Sequence, residues 1–241
     1  MKKSVKAYND PAFVNSPDAR PLRILAEYLE PQARLAKVGI EDTIVFFGSA
    51  RVVPESQHYR DAYELAHRLT KWTEALHEKG RRFVICTGGG PGIMEAANKG
   101  AADAGGVTVG MSISLPREAS GNAHITKDLD IHFHYFFMRK FWLVYSAKAV
   151  VVFPGGFGTL DELFEVLTLV QTRRMTKTLP IVLFGSAYWK EVINFEALVR
   201  HGVIHADDLK LFRLCDTVED AFECITTCLA GEAIARPGAV L

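Results

Sequence analysis

The sequence predicts an α/β domain, a parallel sheet with helices on both faces, from three observations. Short runs such as Ile44-Val45-Phe46-Phe47, Phe83-Val84-Ile85-Cys86 and Ala149-Val150-Val151-Val152-Phe153 are apolar at every position. Strands buried on both faces must read that way. Stretches of helical period separate these runs, and neighbouring parallel strands need such crossovers. Glycine clusters follow several of the runs directly.

Taken in order, residues 1–40 read as an N-terminal arm and 41–241 as the main domain. Pro11, Pro17, Pro21 and Pro31 punctuate the arm, while Leu22, Leu25, Ala26 and Leu29 recur at helical spacings. A helix is expected from about Pro21 to Leu29, with a second turn after Pro31, packed on the main domain or on a second subunit. Proline suits a first helical turn, where its missing N–H leaves no bond unmade. The arm shows no chemistry.

In the main domain, the strand Ile44–Phe47 runs into Gly48-Ser49-Ala50-Arg51. A helix follows from about Ser56 to Lys79, with Tyr59, Leu65, Ala66 and Leu69 on its apolar side. Next come the strand Phe83–Cys86, a helix through Met94 and Ala101, and the strand Val107–Met111. After a polar loop, a helix from Phe136 to Ser146 leads to the most apolar strand, Ala149–Phe153. A helix from Thr159 to about Gln171, a strand Ile181–Phe184, a helix from Tyr188 to Arg200 and a last strand and helix complete a Rossmann-like, doubly wound pattern.

Composition narrows the partners. Of 241 residues 49% are hydrophobic, enough for a full core, and 28 basic residues balance 28 acidic ones. Binding to nucleic acid or an anionic membrane draws on a basic excess, so neither partner is expected. No apolar run approaches the roughly 18–20 residues that span a bilayer. The polar start, Met1 to Lys6, lacks the apolar core of a secretory signal. Four scattered cysteines suit buried or free thiols in a reducing cytoplasm.

In such sheets ligands bind beyond the carboxyl ends of the strands, near a reversal of strand order. Three glycine-rich turns fall there: Gly48-Ser49, Thr87-Gly88-Gly89-Gly90-Pro91-Gly92 and Pro154-Gly155-Gly156-Phe157-Gly158-Thr159. Each is expected to open a helix, so that backbone N–H groups and the helix dipole receive an anion, with phosphate the natural guest. The plainer reading is a set of tight turns, with Thr159-Leu160-Asp161-Glu162 a capping box. A dinucleotide fingerprint would need glycine where Ile93 and Asp161 stand, and no Gly-Lys-Ser/Thr ends either run. A mononucleotide or sugar phosphate fits better than a dinucleotide or ATP.

Pro154-Gly155-Gly156-Phe157-Gly158-Thr159-Leu160-Asp161-Glu162 matches the PGGxGTxxE pattern of the LOG (Lonely Guy) family, often labelled lysine decarboxylase-like. Met138-Arg139-Lys140 resembles the family's second motif, with Phe137 where the family has a histidine. Gly88-Gly89-Gly90 with Gly92-Ile93-Met94, and Phe47-Gly48-Ser49, resemble two further segments in the right order between Thr43 and Gly202. The resemblance implies hydrolysis of a nucleoside 5′-monophosphate, AMP or an N6-substituted AMP, to free base and ribose 5-phosphate. It also implies Arg139 and Glu162 as the catalytic pair, Glu118 as a substrate-binding glutamate, no metal or organic cofactor, and a homodimer or higher homo-oligomer. Substrate would be held by Gly48, Ser49, Gly89, Gly90, Lys140, Pro154, Gly155, Gly156, Gly158, Thr159 and Asp161.

Elementary chemistry agrees with these roles. Breaking a ribosyl C–N bond builds positive charge on the sugar, which a carboxylate can stabilise while activating a water. Glu162 is expected in the first turn of the helix that would bind the phosphate, and the planar donor fork of Arg139 suits phosphate or charge on the departing base. Decarboxylation of lysine would need pyridoxal phosphate on a lysine, and nothing marks one. His132 and His134 alternate around Phe133 on an expected strand and so share one face, but no third metal ligand of useful spacing is nearby. Cys224 and Cys228 read as packing. The rival readings are a nucleotide- or molybdenum-cofactor-binding carrier without catalysis, and a sensor or interaction protein built on the arm.

Overall fold

The computed structural model describes residues 5–76, 80–113, 121–230 and 238. Glu118 and the expected helix end at Lys79 lie outside the described residues.

Seven strands form one all-parallel sheet: β1 (Thr43–Phe47), β2 (Val84–Thr87), β3 (Thr108–Ile113), β4 (Asp130–Phe133), β5 (Ala147–Val152), β6 (Ile181–Phe184) and β7 (Arg213–Cys215). Their order is β4-β3-β2-β1-β5-β6-β7, so the winding reverses between β1 and β5. The expected doubly wound fold is therefore present. Side-chain alternation splits the core. Val45, Phe47, Val150 and Val152 face one apolar layer, and Ile44, Phe46, Ala149 and Val151 face the other. The first layer is closed by α2 (Arg20–Val38), α5 (Phe136–Tyr145) and α6 (Phe157–Gln171), and the second by α3 (Gln57–Ala75), α4 (Ile93–Asp103) and α9 (Val218–Cys228). Short helices α1 (Pro11–Val14), α7 (Ser186–Val192) and α8 (Phe195–Arg200) complete the α-helices among the described residues. No helix among the described residues is long and apolar enough to cross a membrane.

Several expectations need correction. The arm helix does not stop at Leu29: α2 runs through Pro31 to Val38. Proline removes the bond to the carbonyl four residues back, that of Glu27, and Trp142 Nε1 donates to that oxygen instead at 3.1 Å. The arm packs on the main domain, with Tyr28 against the rings of Phe141 and Trp142. The helix expected over Tyr188–Arg200 is two helices. Ile193 is extended, and Asn194 caps α8 by accepting from the Ala197 amide at 2.9 Å. His134 lies beyond β4, while His132 meets the Asp130 carboxylate at 3.1 Å.

Candidate active site

At the reversal point, the turns after β1 and β5 lock together: the Ser49 amide donates to the Pro154 carbonyl at 3.0 Å, and the Phe153 amide to Phe47 at 2.9 Å. The Ile93 amide at the start of α4 donates to the Ser49 carbonyl at 3.1 Å, tying in the turn after β2. Gly92 has φ +69°, and a Cβ there would strike the Ser49 carbonyl oxygen, so the junction requires glycine. Gly155 is equally confined, by Thr159 Oγ1 and the Ser49 amide, while Tyr188 donates its hydroxyl proton to the Gly155 carbonyl at 2.5 Å.

Above this junction opens a cleft of ≈ 590 Å³, a size typical of small-molecule sites. Gly48, Ser49, Arg139, Lys140, Gly155, Gly156, Gly158, Thr159, Asp161 and Glu162 all line it. Pro154 lies behind them as an acceptor. Gly89 and Gly90 stand to one side, their carbonyls held by Asn122 Nδ2 at 3.2 and 3.1 Å; within that run it is Gly88 that abuts the Arg139 guanidinium.

Only two of the three glycine turns open a helix directly. The turn after β1 continues to Ser56, whose hydroxyl accepts from the Tyr59 amide and caps α3. The capping box at Thr159 is not formed, because α6 begins two residues earlier, with Gly156 as a cap that offers no side chain. The first amides of α6 therefore keep no intrahelical acceptor and stay available to an anion. The earlier start also places Glu162 in the second turn of α6, where it reaches back over the cleft.

The Glu162 carboxyl is largely buried, and burial pushes its pKa up to about 7 against the pull of Arg139. Arg139 Nη2 stands 3.4 Å from Glu162 Oε1, longer than the roughly 2.7–2.9 Å of a closed charge-assisted bond. Arg139 is aimed by a second bond, Nε donating to the Met111 carbonyl on β3 at 2.9 Å. Lys140 is not free for a ligand: it pairs with Asp161 at 2.6 Å and Glu165 at 3.0 Å. Burial pulls its pKa down, but the two carboxylates outweigh that and raise it. The Ser49 hydroxyl accepts from the Arg51 amide at 3.1 Å, which leaves its own proton to donate.

Sequence reasoning missed Arg51, Phe136, Phe157 and Tyr188 as lining residues. Arg51 was within reach, since it sits in a turn already read as anion-binding. Phe157, 93% exposed at the cleft mouth, stands inside the nine-residue motif. Tyr188 follows a different strand, and no pattern connects it to the glycine turns.

An open parallel sheet wound in both directions from a central reversal point, with helices on both faces, defines a Rossmann-like α/β protein. The chain belongs to the LOG-type family whose description reads "Possible lysine decarboxylase", which matches residues 94–225. A probable cytokinin riboside 5′-monophosphate phosphoribohydrolase of Oryza sativa subsp. japonica is 28% identical over 153 residues, 61% of this chain and 64% of that protein. The chain thus spans under two thirds of that relative's length. A pyrimidine/purine nucleotide 5′-monophosphate nucleosidase of Escherichia coli K12 is 30% identical over 139 residues, 52% of this chain and 28% of that protein. Among solved structures, the molybdenum cofactor binding protein of Rippkaea orientalis shares the fold at TM-score 0.53 and 21% identity, over 78% of this chain and 98% of that one.

Proposed function

We propose that the protein hydrolyses the N-glycosidic bond of a nucleoside 5′-monophosphate, AMP or an N6-substituted AMP, in a reducing cytoplasm and as a homodimer. The 5′-phosphate rests on Gly155, Gly156, Gly158, Thr159 and the first amides of α6, with the Ser49 hydroxyl donating to it. Arg51 adds a positive charge at the rim. Glu162 faces the anomeric carbon, stabilises positive charge there and takes a proton from the attacking water. The water oxygen bonds to the anomeric carbon as the C–N bond breaks, and its electron pair leaves with the base, whose negative charge Arg139 supports. The base takes up the proton that Glu162 removed from the water, which restores the carboxylate and gives ribose 5-phosphate and free base as products.

The carrying observation is Glu162, a buried carboxyl titrating at about 7 beside a cation that does not close on it. A general base works best with a pKa near the working pH, and burying an ionisable group in this way costs stability that packing alone would not demand. A carrier on the same fold would need the anion cradle but not this pair. Lysine decarboxylation fits poorly. Lys140, the lysine among the described lining residues, is held as a cation between two carboxylates, the reverse of an amine poised for a Schiff base.

Incubation with nucleoside monophosphates, diphosphates, triphosphates and nucleosides, followed by chromatography, tests the reading. Free purine from 5′-monophosphates, and little from the nucleosides, is the expected result; nucleotide binding with no base released would favour the carrier.

A further inference from the structure

We infer that Glu27, in the N-terminal arm, is a positioning residue for the cleft: its carboxylate caps α5 from outside and fixes the helix that carries Arg139. The sequence of α5 leaves its start unfinished. Tyr135 at the cap makes no side-chain bond, and the first turn has no acidic residue. Arg139 and Lys140 instead place two cations near the positive end of the helix dipole, an unfavourable arrangement that calls for an acceptor and a negative charge at the N-terminus.

Glu27 supplies both. One carboxylate oxygen accepts from the His134 amide at 2.8 Å, and the other from the Tyr135 amide at 3.1 Å. The Tyr135 carbonyl accepts in turn from the Arg139 amide at 3.1 Å, so the capped residue is one hydrogen bond from Arg139. The backbone of Glu27 makes the second tie, through the carbonyl that Pro31 leaves free and Trp142 Nε1 takes. One residue of the arm thus grips α5 at its start and again two turns on. Phe141, Trp142 and Tyr145 of α5 pack together in an aromatic cluster that Tyr28 of the arm joins, while Arg139 and Lys140 line the cleft. The arm therefore has a chemical role through α5, although none of its described residues lines the cleft.

Removing the carboxylate separates this role from packing, because the Trp142 tie and the Tyr28 contacts do not involve it. The charged groups acting on Glu162 are Arg139 and Lys140 from α5 and Asp161 and Glu165 from α6. If the start of α5 loosens, Arg139 drifts, its downward pull on Glu162 weakens, and Glu162 titrates at higher pH. The experiment follows the Glu162 carboxyl by carbon NMR in the full chain, in wild type, Glu27→Ala, Glu27→Gln and the packing control Tyr28→Leu. The titration midpoint is expected to rise in Glu27→Ala, to rise less in Glu27→Gln (which keeps one acceptor oxygen), and to stay in place in Tyr28→Leu. On the nucleosidase reading, kcat of Glu27→Ala falls about tenfold with KM nearly constant, within the range that small displacements of a catalytic group produce. Should Glu27→Ala not fold, Glu27→Gln carries the test. A wild-type midpoint in the Glu27 variants overturns the proposal, whatever their melting temperatures do. If the wild-type protein releases no base, the nucleosidase reading fails while the midpoint still decides the positioning role.

Discussion

In the proposed reaction Glu162 acts by virtue of where α6 puts it, and its raised pKa has two measurable consequences. As a base it works ionised, so kcat/KM is expected to rise through pH about 7 and level off above it. The stability consequence runs the other way. Between about 4.5 and about 7 the folded protein holds a proton on Glu162 that the unfolded chain has lost, so this group's contribution to stability is full below that window and gone above it. Glu162→Gln removes the cost of ionising a buried carboxyl, and at pH 8 it should be the more stable protein by up to about 3 kcal/mol, read by denaturant unfolding. The same variant should be no more stable at pH 4. That Arg139 and Glu162 share the cleft was legible because motif, charge and position in the chain agreed. The engagement of Lys140 by Asp161 and Glu165 was not, since both partners lie on the next helix and the pairing depends on how α5 and α6 cross.

Elements carry the next level of constraint. The nine-residue motif looked like a helix start with a threonine cap, and the chain instead begins α6 at Phe157 because Gly155 and Gly156 can turn tightly against the β1 turn. Local patterns favour the side chain that can cap; the tertiary lock between Ser49 and Pro154 decides otherwise. Gly92 tests the neighbouring tie, from the Ile93 amide to the Ser49 carbonyl. Gly92→Ala forces a side chain into a left-handed conformation against the Ser49 carbonyl and should cost about 1–3 kcal/mol in denaturant unfolding, with base release reduced as the turns separate. Proline misled the reading of α2 for a related reason. Pro31 marks a probable helix end by local rules, but Trp142, far away in sequence, satisfies the carbonyl it frees. The apolar central strands were readable, because burial on both faces leaves runs without a polar position. At the sheet edge β4, with Asp130 and His132 outside the core, carries no such run and was passed over within a polar loop, apart from the alternation around Phe133.

For the whole molecule, the strand order explains why turns separated by a hundred residues meet: β1 and β5 are neighbours, and the sheet winds away from them in both directions. Sequence alone predicted the doubly wound class but not which strands adjoin, which is a matter of connectivity rather than composition. The arm extends the cleft's support beyond the sheet. Its outer face leaves Leu22, Leu25 and Leu29 about half exposed at helical spacing, and the proposed homodimer would cover such a stripe. Sedimentation is expected to give a dimer for the wild type and a shift to monomer for Leu25→Glu; a monomeric wild type would remove the dimer from the account.

The most direct test compares binding and turnover in Glu162→Gln. Calorimetric titration with AMP should give an affinity close to wild type, because the phosphate cradle is untouched, while base release falls by about a thousandfold, within the range for loss of a general base. Turnover at the wild-type rate in that variant would contradict the account.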